Sequence, residues 1–367
     1  MERRRPEYDL IVAGGGPAGS ACAITAARAG ARVLLLEKDR LPRHKVCGEF
    51  VSNESLRLLK SLLSGDPFIA HPQISSARIF LDHKSVSLPL PLAARSIPRY
   101  ELDSALFEAA RRAGVSVEEG VTIFEVDQSR AGQDGYFEVK AGRENFAARA
   151  VVNATGRWSR LTRPAGDFGD SKWIGVKAHF RESCPPDSVD LYFFPGGYCG
   201  VQTVGPGAVN AAAMVQTSAA RSMDEVLAAH PELWRRSRDW EPLFPAITTS
   251  PLYFRTPQTL DGQMLCAGDA AGFIDPFAGD GISLALHGGA LAGEELTGFF
   301  HGQCSLARAQ LNYGRAYRRR FAPAFRNAAY LRILLAAPNW MQSSLITFIK
   351  SRPVARMIVR GTRARVS

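Results

Sequence analysis

The sequence predicts an α/β chain: a Rossmann-like nucleotide-binding domain, an inserted and mainly antiparallel β-sheet domain, and a helical C-terminal tail. Three observations predict it. A glycine loop near the start, Gly14 to Gly19, follows an apolar strand and opens a helix of small residues. A second glycine-rich segment, Met264 to His287, repeats strand, turn and helix near the other end. Between them, from Trp173 to about Phe254, the residues fall into short alternating runs separated by Gly and Pro turns, the pattern of β-strands. Residues 1–70, 96–165 and 262–320 are therefore assigned to the first domain, 71–95 and 166–261 to the second, and 321–367 to the tail.

The first loop has each part that nucleotide binding requires. Tyr8–Ala13 reads as a buried strand, Gly14-Gly15-Gly16-Pro17-Ala18-Gly19 matches GxGxxG, and a helix runs on to about Ala29. Arg32–Leu36 is a second apolar strand, with Glu37 just past its end, close to the ~20-residue spacing of an acid that holds a ribose hydroxyl. Glycines let the backbone approach a phosphate, and the amides opening a helix favour negative charge. In the late segment, Met264–Ala267 reads as a short strand delivering Gly268 and Asp269 to a turn, and Gly279-Asp280-Gly281 opens an apolar helix. Asp269 suits a polyol hydroxyl, while the amides from Gly279 to Ile282 suit an anion or a carbonyl.

Composition bounds the class. Of 367 residues, 46% are hydrophobic and 22% charged, the balance of a globular protein that buries a full core. The net charge of +10 is unevenly placed: 13 Lys/Arg and no acid follow Glu295, against 32 basic and 35 acidic residues before it. A nearly neutral body argues against nucleic acid as a partner and leaves a basic tail. No apolar run reaches the ~20 residues of a membrane span, and no secretory leader is visible, which points to the cytoplasm. The six cysteines lack metal spacing, so they read as reduced thiols, with no metal site expected.

With strand, loop, helix, strand and acid in place, and a second glycine loop far downstream, the chain resembles the FAD-dependent oxidoreductases of the p-hydroxybenzoate-hydroxylase fold. Among them it is most similar to the geranylgeranyl-reductase branch. The resemblance runs to about residue 320. It implies that Gly14, Gly16 and Gly19, with Pro17 and Ala18, bind the FAD pyrophosphate, and that Glu37, next to Lys38, holds the adenosine ribose. It places Gly268 and Asp269 on the ribityl-pyrophosphate, and Pro276, Gly279, Asp280, Gly281 and Ile282 at the flavin. Two remote loops gripping one elongated ligand explain why the chain leaves its first domain and returns.

The middle of the chain carries further parts of the resemblance. Arg43 to Glu49 is similar to the segment beside the flavin ring, with Cys47 before Gly48. Cys47 is expected either to line the site, as proton donor or polar contact, or to be a small buried hydrophobe. Arg43 and Lys45 read as phosphate partners or as solvated charges. Arg99, ahead of the helix Glu101–Ala113, is expected to contact FAD, with a plain helix-opening charge as the alternative. Val115–Glu118, Thr122–Asp127, Tyr136–Ala141 and Asn145–Val152 are predicted strands. Val151 to Arg160 is similar to a third fingerprint, usually Asp-Gly-x-x-Ser. Gly156 and Ser159 match it, but Thr155 stands where the aspartate is expected, which bears on how NADPH would dock.

Trp173–Phe180, Val189–Phe194, Tyr198–Val204 and Ala208–Val215 are predicted strands, Met223 to about Arg236 a helix, and Phe80–Leu90 a hairpin turning at Asp82-His83. Asp190 to Gly200 resembles the reductases' Tyr-x-Trp-x-Phe-Pro motif, matching at Phe194-Pro195 but with Asp190 and Tyr192 replacing the tyrosine and tryptophan. Trp173, Tyr192, Phe194 and Tyr198 together suit a pocket for a prenyl-like or lipid substrate, or else are ordinary core aromatics. Tyr192 and Tyr198 join Cys47 as candidate catalytic groups. Leu306–Leu335 is a predicted helix with Phe321, Phe325, Ala328 and Leu331 on one face. Beyond Pro338, Trp340, Leu345, Phe348 and Ile349 mix with five arginines and a lysine, which suits an anionic membrane surface or a packed terminal helix.

Reduction of FAD by NAD(P)H or another donor, then hydride delivery to a C=C bond, is the expected chemistry. Hydroxylation of an aromatic or polyketide-like substrate with O₂ is the alternative, because a fold does not fix a reaction. Halogenation is disfavoured by the missing Trp-x-Trp-x-Ile-Pro motif. A flavin-binding redox partner without turnover is a third reading, set against Gly279 and Gly281, both retained.

Overall fold

The computed structural model of the chain describes residues 6–81, 84–129, 131, 135–157, 161, 173–249, 252, 254, 256–276 and 279–335. Ser159, the Asp82-His83 turn and the tail beyond Pro338 lie outside the described residues.

Among the described residues, two sheets and seven α-helices organise the fold. In order they are β1 (Tyr8–Ala13), α1 (Pro17–Arg28), β2 (Val33–Glu37), β3 (Phe50–Val51), α2 (Asn53–Leu63), β4 (Gln73–Leu81), β5 (Lys84–Ser96) and α3 (Arg99–Arg112). Next come β6 (Ser116–Glu119), β7 (Ile123–Asp127), β8 (Phe137–Ala141), β9 (Glu144–Asn153), β10 (Trp173–Arg181), β11 (Ser188–Phe194), β12 (Gly197–Gly205) and β13 (Ala208–Gln216). Then follow α4 (Met223–Ala228), α5 (Pro231–Ser237), β14 (Glu241–Pro242), β15 (Ile247–Thr249), β16 (Leu260–Asp261) and β17 (Met264–Cys266). A 3₁₀ turn (Gly268–Ala270), α6 (Gly281–Phe300) and α7 (Leu306–Leu335) complete the order.

The first sheet runs β16-β17-β9-β1-β2-β6, with β8 and β7 added antiparallel beside β9. Its central pairs, β17 with β9, β9 with β1, β1 with β2 and β2 with β6, are all parallel. Parallel strands need covered faces. Leu10, Val12, Val33 and Leu35 look into the core shared with α1, α3 and α6, whereas Ile11, Leu34 and Leu36 look into the core under β7 and β8. This alternation explains the unbroken apolar runs of β1 and β2.

α1 and α6 cross almost backbone to backbone. A Cβ on Gly289 would lie 2.0 Å from the Ala18 carbonyl oxygen, and one on Gly293 2.8 Å from that of Cys22. The small residues of α1 and the glycines of α6 thus bring two helices from opposite ends of the sequence into one layer. α7 closes that layer with Tyr313, Tyr317, Phe321 and Ala328, all nearly fully buried, and Tyr313 Oη donates to the Cys266 carbonyl at 2.7 Å.

The second sheet runs β14-β10-β13-β12-β11-β4-β5-β3, antiparallel except for β11 with β4. β4 and β5 join it as the sequence pattern suggests. Three boundaries differ from expectation. The single helix expected over Met223–Arg236 is two short ones, because Pro231 holds His230 extended (φ −133°, ψ 129°) and restarts the helix. Arg99 opens α3 instead of preceding it, and Glu37 ends β2 instead of following it.

Candidate functional site

The first glycine loop is shaped by close contacts. Gly14 has φ +103°, and a Cβ there would lie 2.5 Å from the Ala154 carbonyl oxygen, so the turn after β9 presses on the turn after β1. A Cβ on Gly19 would lie 1.8 Å from the Gly14 oxygen. Gly16 differs: the nearest atom to its missing Cβ is an Arg99 guanidinium nitrogen at 3.9 Å. Gly14 and Gly19 are thus required by packing, whereas Gly16 borders open space at the N-terminus of α1. Pro17 takes the first helical position, where its missing N–H costs nothing.

Glu37 is nearly fully buried at the mouth of this loop. Its carboxylate accepts from Gly15 N at 2.7 Å and Asp39 N at 3.0 Å. Arg43 donates to Glu37 (3.2 Å), Asp39 (2.9 Å) and Asp103 (2.8 Å). Its fork is therefore spent on three carboxylates, and Lys45 likewise pairs with Asp39 at 2.7 Å. Lys38 is exposed. Arg99 makes two 2.8 Å bonds to the fully buried Asp103. Burial pulls its pKa down, but Asp103 and then Cys47 push it up further, so the guanidinium stays charged beside Gly16.

The late segment meets the first. A Cβ on Gly268 would lie 2.8 Å from Ala18 Cβ. Asp269, on the 3₁₀ turn, is 3.6 Å from Arg157, whose guanidinium sits 4.1 Å from the Phe273 ring centroid. Burial raises the Asp269 carboxyl, opposed by Arg157 and Arg99. Thr155 Oγ1 donates to Asn153 Oδ1 at 2.6 Å, keeping the β9 turn compact, and Gly156 follows at φ +82°. Pro276 accepts from Gly279 N at 3.0 Å. Gly279 (φ +67°) packs on Phe50, Asp280 is buried at the start of α6, and no atom stands within 4 Å of a Cβ on Gly281. Gly268 thus brings the late segment against Ala18 of α1, and the space bordered by Gly16 and Gly281 at the two helix N-termini is the candidate cleft.

Cys47 is half-buried in that cleft. Arg99, Arg157 and Tyr198 stand around it. Its sulfur accepts from Glu49 N at 3.3 Å, and its carbonyl from Asn210 Nδ2 at 3.0 Å. Gly48 follows it with open space around its Cα.

The predicted aromatic pocket is not assembled as a unit. Successive strand residues point to opposite faces, and the register pairs Phe193 with Tyr198 and Tyr198 with Met214 on one face. That face, with Leu81, Leu88 and Leu252, and with Trp173 and Phe273 against it, looks toward the cleft. Tyr192 and Phe194 point the other way, into the core under α4 and α5. Tyr192 stacks on Phe80 at 4.5 Å and accepts from Arg236 at 3.2 Å. Trp173 and Tyr198 thus lie on one face of the sheet and Tyr192 and Phe194 on the other, so the four aromatics do not share one wall. Burial, then Asp275, raises the Tyr198 phenol well above its ordinary value.

A polar cluster was missed. Lys177 and His179 of β10 are buried and both engage the fully buried Glu49. Their signal is an alternation: in β10 the residues between Ile174, Val176, Ala178 and Phe180 are polar or small, yet Ile174 to Phe180 are all buried.

Comparison with known proteins gives the cleft a context. A family model described as an FAD binding domain matches residues 7–325. Digeranylgeranylglycerophospholipid reductase 2 of Methanopyrus kandleri is 30% identical, over 78% of this chain and 76% of the relative. Menaquinone reductase of Mycolicibacterium smegmatis is 26% identical, over 96% and 90%. Among solved structures, the flavin-dependent brominase Bmp2 matches with TM-score 0.79 at 20% identity, covering 97% of this chain and 93% of its own. A geranylgeranyl bacteriochlorophyll reductase-like protein from Thermoplasma acidophilum matches with TM-score 0.73 at 20% identity, covering 97% and 95%. At these identities the two structures speak to the fold alone.

Proposed function

The chain belongs to the FAD-binding-domain family of flavin-dependent oxidoreductases and is related to the geranylgeranyl reductases; from that premise we propose that it reduces C=C bonds of a hydrophobic, prenyl-like or lipid substrate. FAD, when bound, supplies the hydride, having been reduced by NAD(P)H or another external donor. The residues present fit this cofactor: the glycine turn leaves room at Gly16 alone, and two helix N-termini flank the cleft.

The amides opening α1 hold the pyrophosphate, and Arg99, kept charged by Asp103, stands beside them. Glu37 would take a ribose hydroxyl with the lone pair not used by Gly15, Asp39 and Arg43. Asp269, fixed by Arg157, takes a ribityl hydroxyl. The amides of Gly281 and Ile282, at the N-terminus of α6, would hold the flavin's polar edge and favour negative charge there. Cys47, or a water beside it, gives the proton that completes the addition. The apolar face of Phe193, Tyr198 and Met214 excludes water and holds the substrate.

One observation carries this reading: an apolar face of the second sheet, Leu81, Leu88, Phe193, Tyr198 and Met214, packs with Phe273 of the late segment, and its Tyr198 stands near Cys47 and Asp275. O₂-dependent hydroxylation is the second reading, because a fold does not fix a reaction. Product mass spectrometry under ¹⁸O₂ and in D₂O separates the two. Uptake of deuterium without oxygen is expected, and oxygen uptake would remove the reductase assignment.

The partner surface is a separate proposal. α7 contains no acid and exposes Arg315, Arg318, Arg319 and Arg326 together with Tyr330. With the basic residues beyond it, this face suits an anionic membrane surface, where a lipid substrate resides. Among the described residues no helix is long and apolar enough to cross a membrane.

A further inference from the structure

Glu49 adopts a conformation that side-chain-bearing residues avoid. Its φ of +59° lies in the left-handed region where glycine is favoured, yet it is a glutamate and fully buried. Its carboxylate is engaged from two directions. Lys177 Nζ donates to Oε1, and His179 Nε2 is 2.7 Å from Oε2, both from β10 of the second sheet. Arg99 N, at the start of α3, donates to Oε1 at 2.8 Å. One side chain therefore ties the 43–49 segment to both halves of the molecule.

The rest of the seam is close-packed around this lock. A Cβ on Gly175 would lie 2.9 Å from Val46 Cγ1. His44 stacks on Phe244 at 3.9 Å and stands 4.9 Å from Tyr100 and 5.7 Å from His179, between ring centroids. Burial works against the Glu49 carboxylate, but His179 and Lys177 more than offset it, and the net shift is downward. The group is ionised at neutral pH.

We infer that Glu49 is a positioning residue: locked between Lys177 and His179, it fixes the backbone turn that aims Cys47 and Arg99 into the cleft. The link to Cys47 is direct, since Glu49 N donates to its sulfur at 3.3 Å. Stability alone does not account for the arrangement. A buried ion pair is often no better than apolar side chains of the same size, and a left-handed glutamate is locally unfavourable. The inference rests on the placement of Cys47 at the cofactor site proposed above.

The test follows alkylation of Cys47 by iodoacetamide in the FAD-loaded full-length protein, by peptide mass spectrometry, with the exposed Cys184 as internal reference. Glu49→Gln alone strands the Lys177 charge, so the deciding variant is Glu49→Gln combined with Lys177→Met, which removes both charges. It is expected to fold and to raise the Cys47 rate about tenfold relative to Cys184, because small misplacements of a positioned group have large effects. An unchanged or slower Cys47 rate overturns the inference. Should the double variant not fold, His179→Gln decides, since it keeps the Glu49–Lys177 pair: a faster Cys47 rate supports positioning and an unchanged one overturns it. Failure of the cofactor reading looks different, because the wild-type Cys47 rate would then be the same with and without FAD.

Discussion

Gly19 and Gly14 leave no room for a side chain between them: a Cβ on Gly19 would sit 1.8 Å from the Gly14 carbonyl oxygen. Gly16, three residues before Gly19, has no such neighbour, its nearest being Arg99 at 3.9 Å. The loop thus separates into glycines that serve the fold and one that serves the ligand.

Two substitutions test that separation. Gly19→Ala is expected to cost about 3 kcal/mol of stability, the upper end of overpacking penalties. Gly16→Ala is expected to leave stability of the cofactor-free protein within about 0.5 kcal/mol of wild type but to weaken FAD about tenfold or more, roughly 1.4 kcal/mol. Urea unfolding and flavin-fluorescence titration measure the two effects. Equal losses of stability for both variants would contradict the assignment of Gly16.

Acid stability is expected to depend on His287 of α6. Burial depresses its pKa to about 4, with a smaller contribution from Arg320 against an opposing hydrogen bond with the Glu54 backbone. The unfolded chain therefore takes up a proton near pH 6.5 that the folded chain refuses until about pH 4. Stability falls as pH drops through that window and this contribution is flat below it, by about 3 kcal/mol at most. His287→Gln should flatten this part of the profile in urea unfolding at pH 7, 6, 5 and 4 (roughly spanning the window). A slope identical to wild type would show that His287 is not the group responsible.

Membrane contact is tested by deletion. Removing residues 338–367 takes away five arginines and a lysine, each worth about 1 kcal/mol near an anionic surface. Sedimentation with phosphatidylserine-containing vesicles should fall at least about tenfold. Unchanged sedimentation contradicts a role for this segment, leaving the exposed arginines of α7 as the remaining cationic face.

The sequence exposed the parts whose physics is local. The Gly14–Gly19 turn, the small residues of α1 and the glycine-opened α6 could be read because each needs particular residues at fixed spacing. Sheet faces were not legible where both sides are buried. In Asp190–Gly200 the aromatics occupy consecutive positions, so nothing in the pattern says that Phe193 faces the cleft while Tyr192 and Phe194 face α4 and α5. The amphipathic α2 is absent from the sequence expectations, although Ser52 stands at its N-cap and Leu59, Leu62 and Leu63 bury one face of it. The Glu49 cluster joins residues 128 and 130 positions apart, a pairing that only the tertiary fold creates.

The most direct test of the two-loop cleft is a titration of the purified, flavin-stripped protein with FAD, followed by absorbance and fluorescence quenching. One FAD per chain is expected, with the protein turning yellow and retaining the cofactor through gel filtration. A protein that stays colourless after incubation with FAD would contradict the account.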